Sequence, residues 1–192
     1  ICFGNSLKKL DVSQNAALRM LYCNKNNLIA LDLSQNPALT SLSCDNNTYS
    51  IALSGGTFDL STPLGNFDAS RASNWTNATV DGDTLTVIDL REPVTYTYDL
   101  GNGETAFFLL APESCTLAES MMEAIPDQIY TGSELKPEVT WKHGVESIDY
   151  TISYKDNIDA GTATVTITGK NLLEGSITIP FTILPADLTD AE

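Results

Sequence analysis

Positive charge, histidine and long apolar runs are what this chain has least of. Ten Lys and Arg stand against 25 Asp and Glu, giving a net charge of −15 and a pI near 4.2. A surface of that sign repels phosphates, which argues against nucleic acid or an anionic membrane as partner. The single histidine, His143 in Lys142-His143-Gly144, cannot furnish a His/Cys zinc site, and a Ser-His-Asp or Cys-His centre would have to be built around it alone. It reads as a loop residue. Asp81 and Asp83 flank Gly82, but the twelve-residue calcium loop with its terminal Glu is missing. No spacing among the acids singles out two for glycoside hydrolysis. These absences predict a protein that is not an enzyme, with no metal site and no cofactor. No run of 18 apolar residues occurs, which excludes a helical membrane span and predicts no membrane insertion within the chain.

Cysteine is also scarce, yet three of the four obey a rule. Cys2, Cys23 and Cys44 lie 21 residues apart, and three residues after each comes Asn5, Asn26 and Asn47. Leu7/Leu28, Leu10/Leu31, Leu18/Leu39, Leu21/Leu42, Asp11/Asp32, Ser13/Ser34 and Asn15/Asn36 keep the same beat. A fixed period of this length is the mark of a solenoid. Strand side chains alternate between faces, so Leu21 and Cys23 should point inward, and Tyr22 and Asn24 outward. An Asn placed where the coil turns can bond backbone groups that the turn leaves without partners. The other side of the coil, Leu31-Asp32-Leu33-Ser34-Gln35-Asn36, is closed by Pro37. Neighbouring coils should stack about 4.8 Å apart, close enough for a disulfide by Cα spacing. Parallel Cβ vectors and an odd number of members argue instead for a buried ladder of free thiols. Cys115 stands apart as an incidental thiol.

The pattern Leu-x-x-Leu-x-Cys-x-x-Asn-x-Leu, at Leu18, Leu21, Cys23, Asn26 and Leu28 and again at Leu39, Leu42, Cys44 and Asn47, resembles the leucine-rich repeat family. The closest resemblance is to the short variety of bacterial surface proteins, the internalin-like adhesin type. Stacked coils would set Ile1 and Phe3, Tyr22 and Asn24, and Ser43 and Asp45 on a concave face, with Arg19, Met20, Thr40 and Ser41 just before them. Solenoids bind extended partners on that face, and exposed aromatics there resemble interface anchors. Ile1 aligns with Tyr22 and Ser43, in the middle of a strand, and the chain shows no initiator Met or targeting stretch. Since roughly three or more coils are needed for a stable core, further coils are expected before Ile1.

After Asn47 the period falls to two. Leu85-Thr86-Val87 and Val94 to Leu100 read as half-buried strands, with turns at Asp81-Gly82-Asp83 and Gly101-Asn102-Gly103. Tyr49 to Leu53 would continue from the last coil and cover its core. From Cys115 a second β module begins. Ile148, Tyr150, Ile152 and Tyr154 share one face, as do Ala163, Val165 and Ile167, and as do Ile177, Ile179, Phe181 and Ile183, with Ser, Thr or Asp opposite. Ile125 to Gly132, Asp149 to Tyr154 and Gly161 to Gly169 resemble the tandem immunoglobulin-like modules of bacterial surface proteins, without the antibody cysteine pair or central tryptophan. Pro180 should lie where its strand is an edge. Thr116 and Glu119 have the spacing of a helix capping box, but the resemblance places the module's first strand near here, and a strand is the expectation.

The sequence therefore predicts a mainly β protein. Residues 1–47 form leucine-rich repeats at the end of a longer array, 48–111 a small antiparallel capping domain, 115–184 an immunoglobulin-like β-sandwich, and 185–192 a linker to a further module. The resemblance implies a secreted or bacterial cell-surface adhesion protein whose repeats contact an extracellular protein or glycan, with the β modules as cap and stalk. The alternative is an accessory, non-catalytic region of a large secreted enzyme, for instance a glycan-degrading one.

Overall fold

The computed structural model describes residues 1–63, 67–142 and 150–186. His143, Ile148 and Asp149, and the expected linker from Asp187 onward, lie outside them. The chain divides into two compact units, Ile1–Leu53 with Thr57–Glu113, and Ser54–Gly56 with Ser114–Glu192. It is mainly β, with no α-helix among the described residues.

In the first unit, β1 (Met20–Tyr22) and β2 (Ser41–Ser43) pair in parallel, Met20 with Ser41, Leu21 with Leu42 and Tyr22 with Ser43. The register equals the sequence period. The same offset governs the backbone bonds around it. Cys2 and Gly4 donate to the carbonyls of Tyr22 and Asn24 at 2.8 and 3.0 Å, and one repeat later Cys23 and Lys25 donate to Ser43 and Asp45 at 2.8 and 3.1 Å. Leu21, Cys23, Leu28, Leu31 and Leu33 are buried as the alternation predicts.

The rest of this unit is a curled sheet. Its strands are β3 (Asn47–Ser54), β4 (Thr57–Asp59), β5 (Ala72–Thr76), β6 (Ala78–Asp81), β7 (Thr84–Val87), β8 (Val94–Asp99) and β9 (Thr105–Thr116), in the order β5-β8-β9-β3-β4-β7-β6. Alternate residues Val94, Tyr96 and Tyr98 of β8 and Ala106, Phe108 and Leu110 of β9 are buried, while Thr95 and Thr97 lie half-buried on the other face. The outermost strands of the order, β5 and β6, are joined by Asn77 alone, so the sheet must bend until its ends meet. Asn77 turns the chain at φ 58°. Its side chain donates to the carbonyls of Asp89 and Glu92 and accepts from the Asp89 N–H, each at 2.8 Å. Trp75 stacks on Tyr96 with ring centroids 4.4 Å apart, and Phe67 meets both edge-on.

Residues 1–47 and, apart from Ser54–Gly56, 48–111 fall in this unit. Thr48 donates to the Asn26 carbonyl at 3.0 Å, and Leu33 to that of Leu100 at 2.7 Å.

The second unit holds β10 (Gln128–Ile129), β11 (Tyr150–Lys155), β12 (Gly161–Gly169), β13 (Leu173–Glu174) and β14 (Ser176–Leu184). Four of these form a sheet in the order β10-β14-β12-β11, and β13 runs parallel to Cys115 and Thr116 at the end of β9. Ala163, Phe181 and Ile183 form its core, with Ile125, Leu135 and Tyr154 packed against them. Pro180 faces Thr164 of β12. On its other side β10 reaches only Ile183 and Leu184, so among the described residues Pro180 has no ladder partner there and needs none. Neither a helix nor a strand spans Leu117 to Ala124. A 3-10 turn occupies Glu119–Met121, and Met122 bridges to Trp141. The backbone groups a helix would need are engaged elsewhere: Leu117 donates to Glu174, Glu123 to Thr140, and the Met121 carbonyl accepts from Lys142.

Candidate functional site

The outward row on the repeats is held from behind by asparagines. The Asn26 amide donates to the carbonyls of Cys2 and Cys23 at 2.9 and 3.0 Å, and its Oδ1 accepts the Leu7 N–H at 3.1 Å. Asn47 repeats this one rung on, donating to Cys23 and Cys44 at 3.3 and 2.7 Å and accepting from Leu28 at 3.3 Å. Each amide thus joins its own rung to the one before. Asn5 is exposed and bonds only within its own rung, to Cys2 and Phe3. Buried Asn36 likewise reaches back one repeat, donating to the carbonyls of Val12 and Asn15, both at 2.9 Å.

The thiols of Cys2, Cys23 and Cys44 are all free, as is that of Cys115. Burial pushes the Cys23 thiol up to about 12 and the Cys44 thiol up to about 11, with the neighbouring Cys44 and Cys2 adding to the first and Asp45 to both. Buried, neutral thiols pack as small apolar groups and are poor nucleophiles.

Sequence reasoning overlooked a third column. Gly4, Lys25 and Asn46, spaced by the repeat, all adopt left-handed backbone, at φ 68°, 56° and 56°. Each turns the chain just before the repeat's Asn, and Asn26 and Asn47 are buried. The glycine in the first copy and asparagine in the third were the available signal, since those two residue types tolerate positive φ best.

In front of this scaffold stand the predicted contact residues. Ile1 is 85% exposed, Phe3 57% and Met20 58%. Tyr22 and Asn24 are half-buried, and the Tyr22 hydroxyl meets Ser41 Oγ at 3.2 Å. Ser43 donates to Asp45 at 2.9 Å, and Asn46 donates to the same carboxylate at 2.6 Å, so Asp45 is tied to its own turn. The Arg19 carbonyl accepts from Thr40 and Ser41 across the rungs, while its side chain is exposed. The parallel pairing therefore aligns Met20 and Tyr22 with Ser41 and Ser43. Among the described residues no group of three or more His, Cys, Asp and Glu is arranged to hold a metal ion, and no helix is long and apolar enough to cross a membrane.

No family model matches the sequence, and no curated protein matches it.

Proposed function

We propose that this chain is a binding region of a secreted or bacterial cell-surface protein. In this reading the 21-residue rungs are coils of a leucine-rich repeat solenoid, and their outward row of Ile1, Phe3, Arg19, Met20, Tyr22, Asn24, Ser43 and Asp45 contacts an extracellular protein or glycan. The curled sheet caps the coils, and the second unit is an immunoglobulin-like stalk with no catalytic role.

One observation carries the reading: three large apolar side chains, Ile1, Phe3 and Met20, stay more than half exposed on backbone that is held in register by hydrogen bonds. Soluble surfaces rarely keep such groups together on an ordered frame without a partner for them. The strong negative charge further favours a partner reached by apolar and hydrogen-bonding contacts over one held by phosphates.

The test is adhesion of beads coated with the chain to immobilised matrix proteins and mucin glycans. Phe3→Ala and Tyr22→Ala together should abolish retention while leaving the melting temperature unchanged. Retention equal to the unaltered chain would remove the outward row from the function.

A further inference from the structure

A cleft in the first unit is lined by residues outside that row. Lys9, Asp11, Asp32, Arg71 and Tyr98 line this cleft, of about 180 Å³. Asp11 and Asp32 are the same position in successive repeats, and each is fixed by accepting, through Oδ1, the N–H of the serine two residues on, Ser13 at 2.9 Å and Ser34 at 3.0 Å. Those bonds hold both carboxyls below the usual carboxylate range, so they are charged at neutral pH. The Ser13 and Ser34 hydroxyls lower them further.

The cations come from elsewhere. Lys9 breaks the repeat, since its counterpart is the buried Ala30, and its exposed ammonium makes no hydrogen bond or ion pair among those described. Arg71 enters from a 3-10 turn and is pinned on three sides. Its Nε donates to the Asp99 carbonyl at 2.9 Å, its Nη2 lies 3.5 Å from Asp32, and its guanidinium covers the Tyr98 ring at 5.1 Å. Its side chain stays 24% exposed. Two of the ten Lys and Arg of a chain with net charge −15 thus meet at one small cleft, where they cancel the two carboxylates. A single anion can enter there without the repulsion it meets over most of the surface.

We propose that this cleft binds an acidic sugar of an extracellular glycan, its carboxylate held between Lys9 and the exposed part of the Arg71 guanidinium, its hydroxyls donating to Asp11 and Asp32. Arginine suits a planar carboxylate because its paired N–H groups match the two oxygens. Two fixed acceptors one rung apart suit the separated hydroxyls of a pyranose ring better than one compact ammonium. None of these residues belongs to the outward row, but the extracellular setting of the sugar rests on the proposed function.

The test is titration of the isotope-labelled 192-residue chain with sodium glucuronate, following the backbone amides of Ser13 and Ser34 by NMR at fixed ionic strength. Glucose and sodium glutamate serve as the neutral and amino-acid comparisons. Glucuronate should give saturable shifts at both amides and glucose none, glutamate should bind more weakly, and Lys9→Ala should weaken glucuronate about tenfold. Lys9 is exposed and makes no bond that folding requires, so a folding defect will not mask the result. Absence of saturation, an equal response to glucose, glutamate binding as tight as glucuronate, or a Lys9→Ala chain that binds unchanged would each overturn the proposal.

Discussion

The phenol of Tyr96 donates to the carbonyl oxygen of Ile29 at 2.5 Å, across 67 residues of sequence, and both residues are wholly buried. This bond ties the repeats to the sheet that follows them. Tyr96→Phe keeps the ring but leaves the Ile29 carbonyl without its donor in a place water does not reach. The expected loss is about 1–3 kcal/mol, seen as a lower urea midpoint with an unchanged slope. An unmoved midpoint would mean the carbonyl finds another donor.

Asn26 and Asn5 occupy the same repeat position in different surroundings. Asn26→Ala removes the donor shared by the Cys2 and Cys23 carbonyls on two rungs and the acceptor of the Leu7 N–H, with an expected cost of about 2–4 kcal/mol. Asn5→Ala removes only exposed bonds within its own rung, and should cost less than about 1 kcal/mol. Equal losses in thermal or urea unfolding would contradict an inter-rung role for the amide.

Lys25 holds a left-handed conformation at φ 56° where the preceding repeat has Gly4. That backbone costs a side-chain-bearing residue about 1–2 kcal/mol, partly offset by the roughly 0.5–1 kcal/mol of chain entropy that glycine forfeits on folding. Lys25→Gly should therefore raise stability by up to about 1 kcal/mol, whereas Lys25→Val should lower it. Calorimetric melting of the two variants decides the sign.

The thiol column makes stability sensitive to alkali. Burial raises Cys23 from 9.0 to about 12 and Cys44 from 9.0 to about 11 in the folded chain, and the phenol of buried Tyr96 rises in the same direction. Groups whose folded value is raised contribute stability that is fully present below their unfolded value and is lost as pH climbs toward the folded one. The urea midpoint should hold up to about pH 9 and fall from there toward pH 12. Native protein at neutral pH should leave Cys23 and Cys44 unmodified by iodoacetamide while Cys2, which is only half-buried, reacts first. Denatured, unreduced protein should titrate as four free thiols.

The recurring elements were the most legible. Spacing of the cysteines and asparagines predicted a 21-residue offset, and Met20 pairs with Ser41 at that offset. Strict alternation likewise named Ala163, Val165 and Ile167 as buried. Closure of the curled sheet was not legible, because it depends on Asn77 engaging Asp89 and Glu92 after a turn that no short motif announces. The stretch from Leu117 to Ala124 carried a helical signal in its residue types, but backbone partners contributed by Thr140, Lys142 and Glu174 overrode that local preference. The cleft beside Asp11 and Asp32 was hidden for a related reason: both aspartates show in the repeat, whereas Arg71 reaches Asp32 from 39 residues beyond it.

Because Asn26 and Asn47 each clasp the carbonyl of the rung before, a single residue inserted or deleted between Cys23 and Asn47 would throw the Asn47 clasp on Cys23 out of step. Gain or loss of a complete 21-residue unit leaves both clasps matched. Length in this part of the molecule is thus quantised, and viable relatives should differ there by whole multiples of the unit.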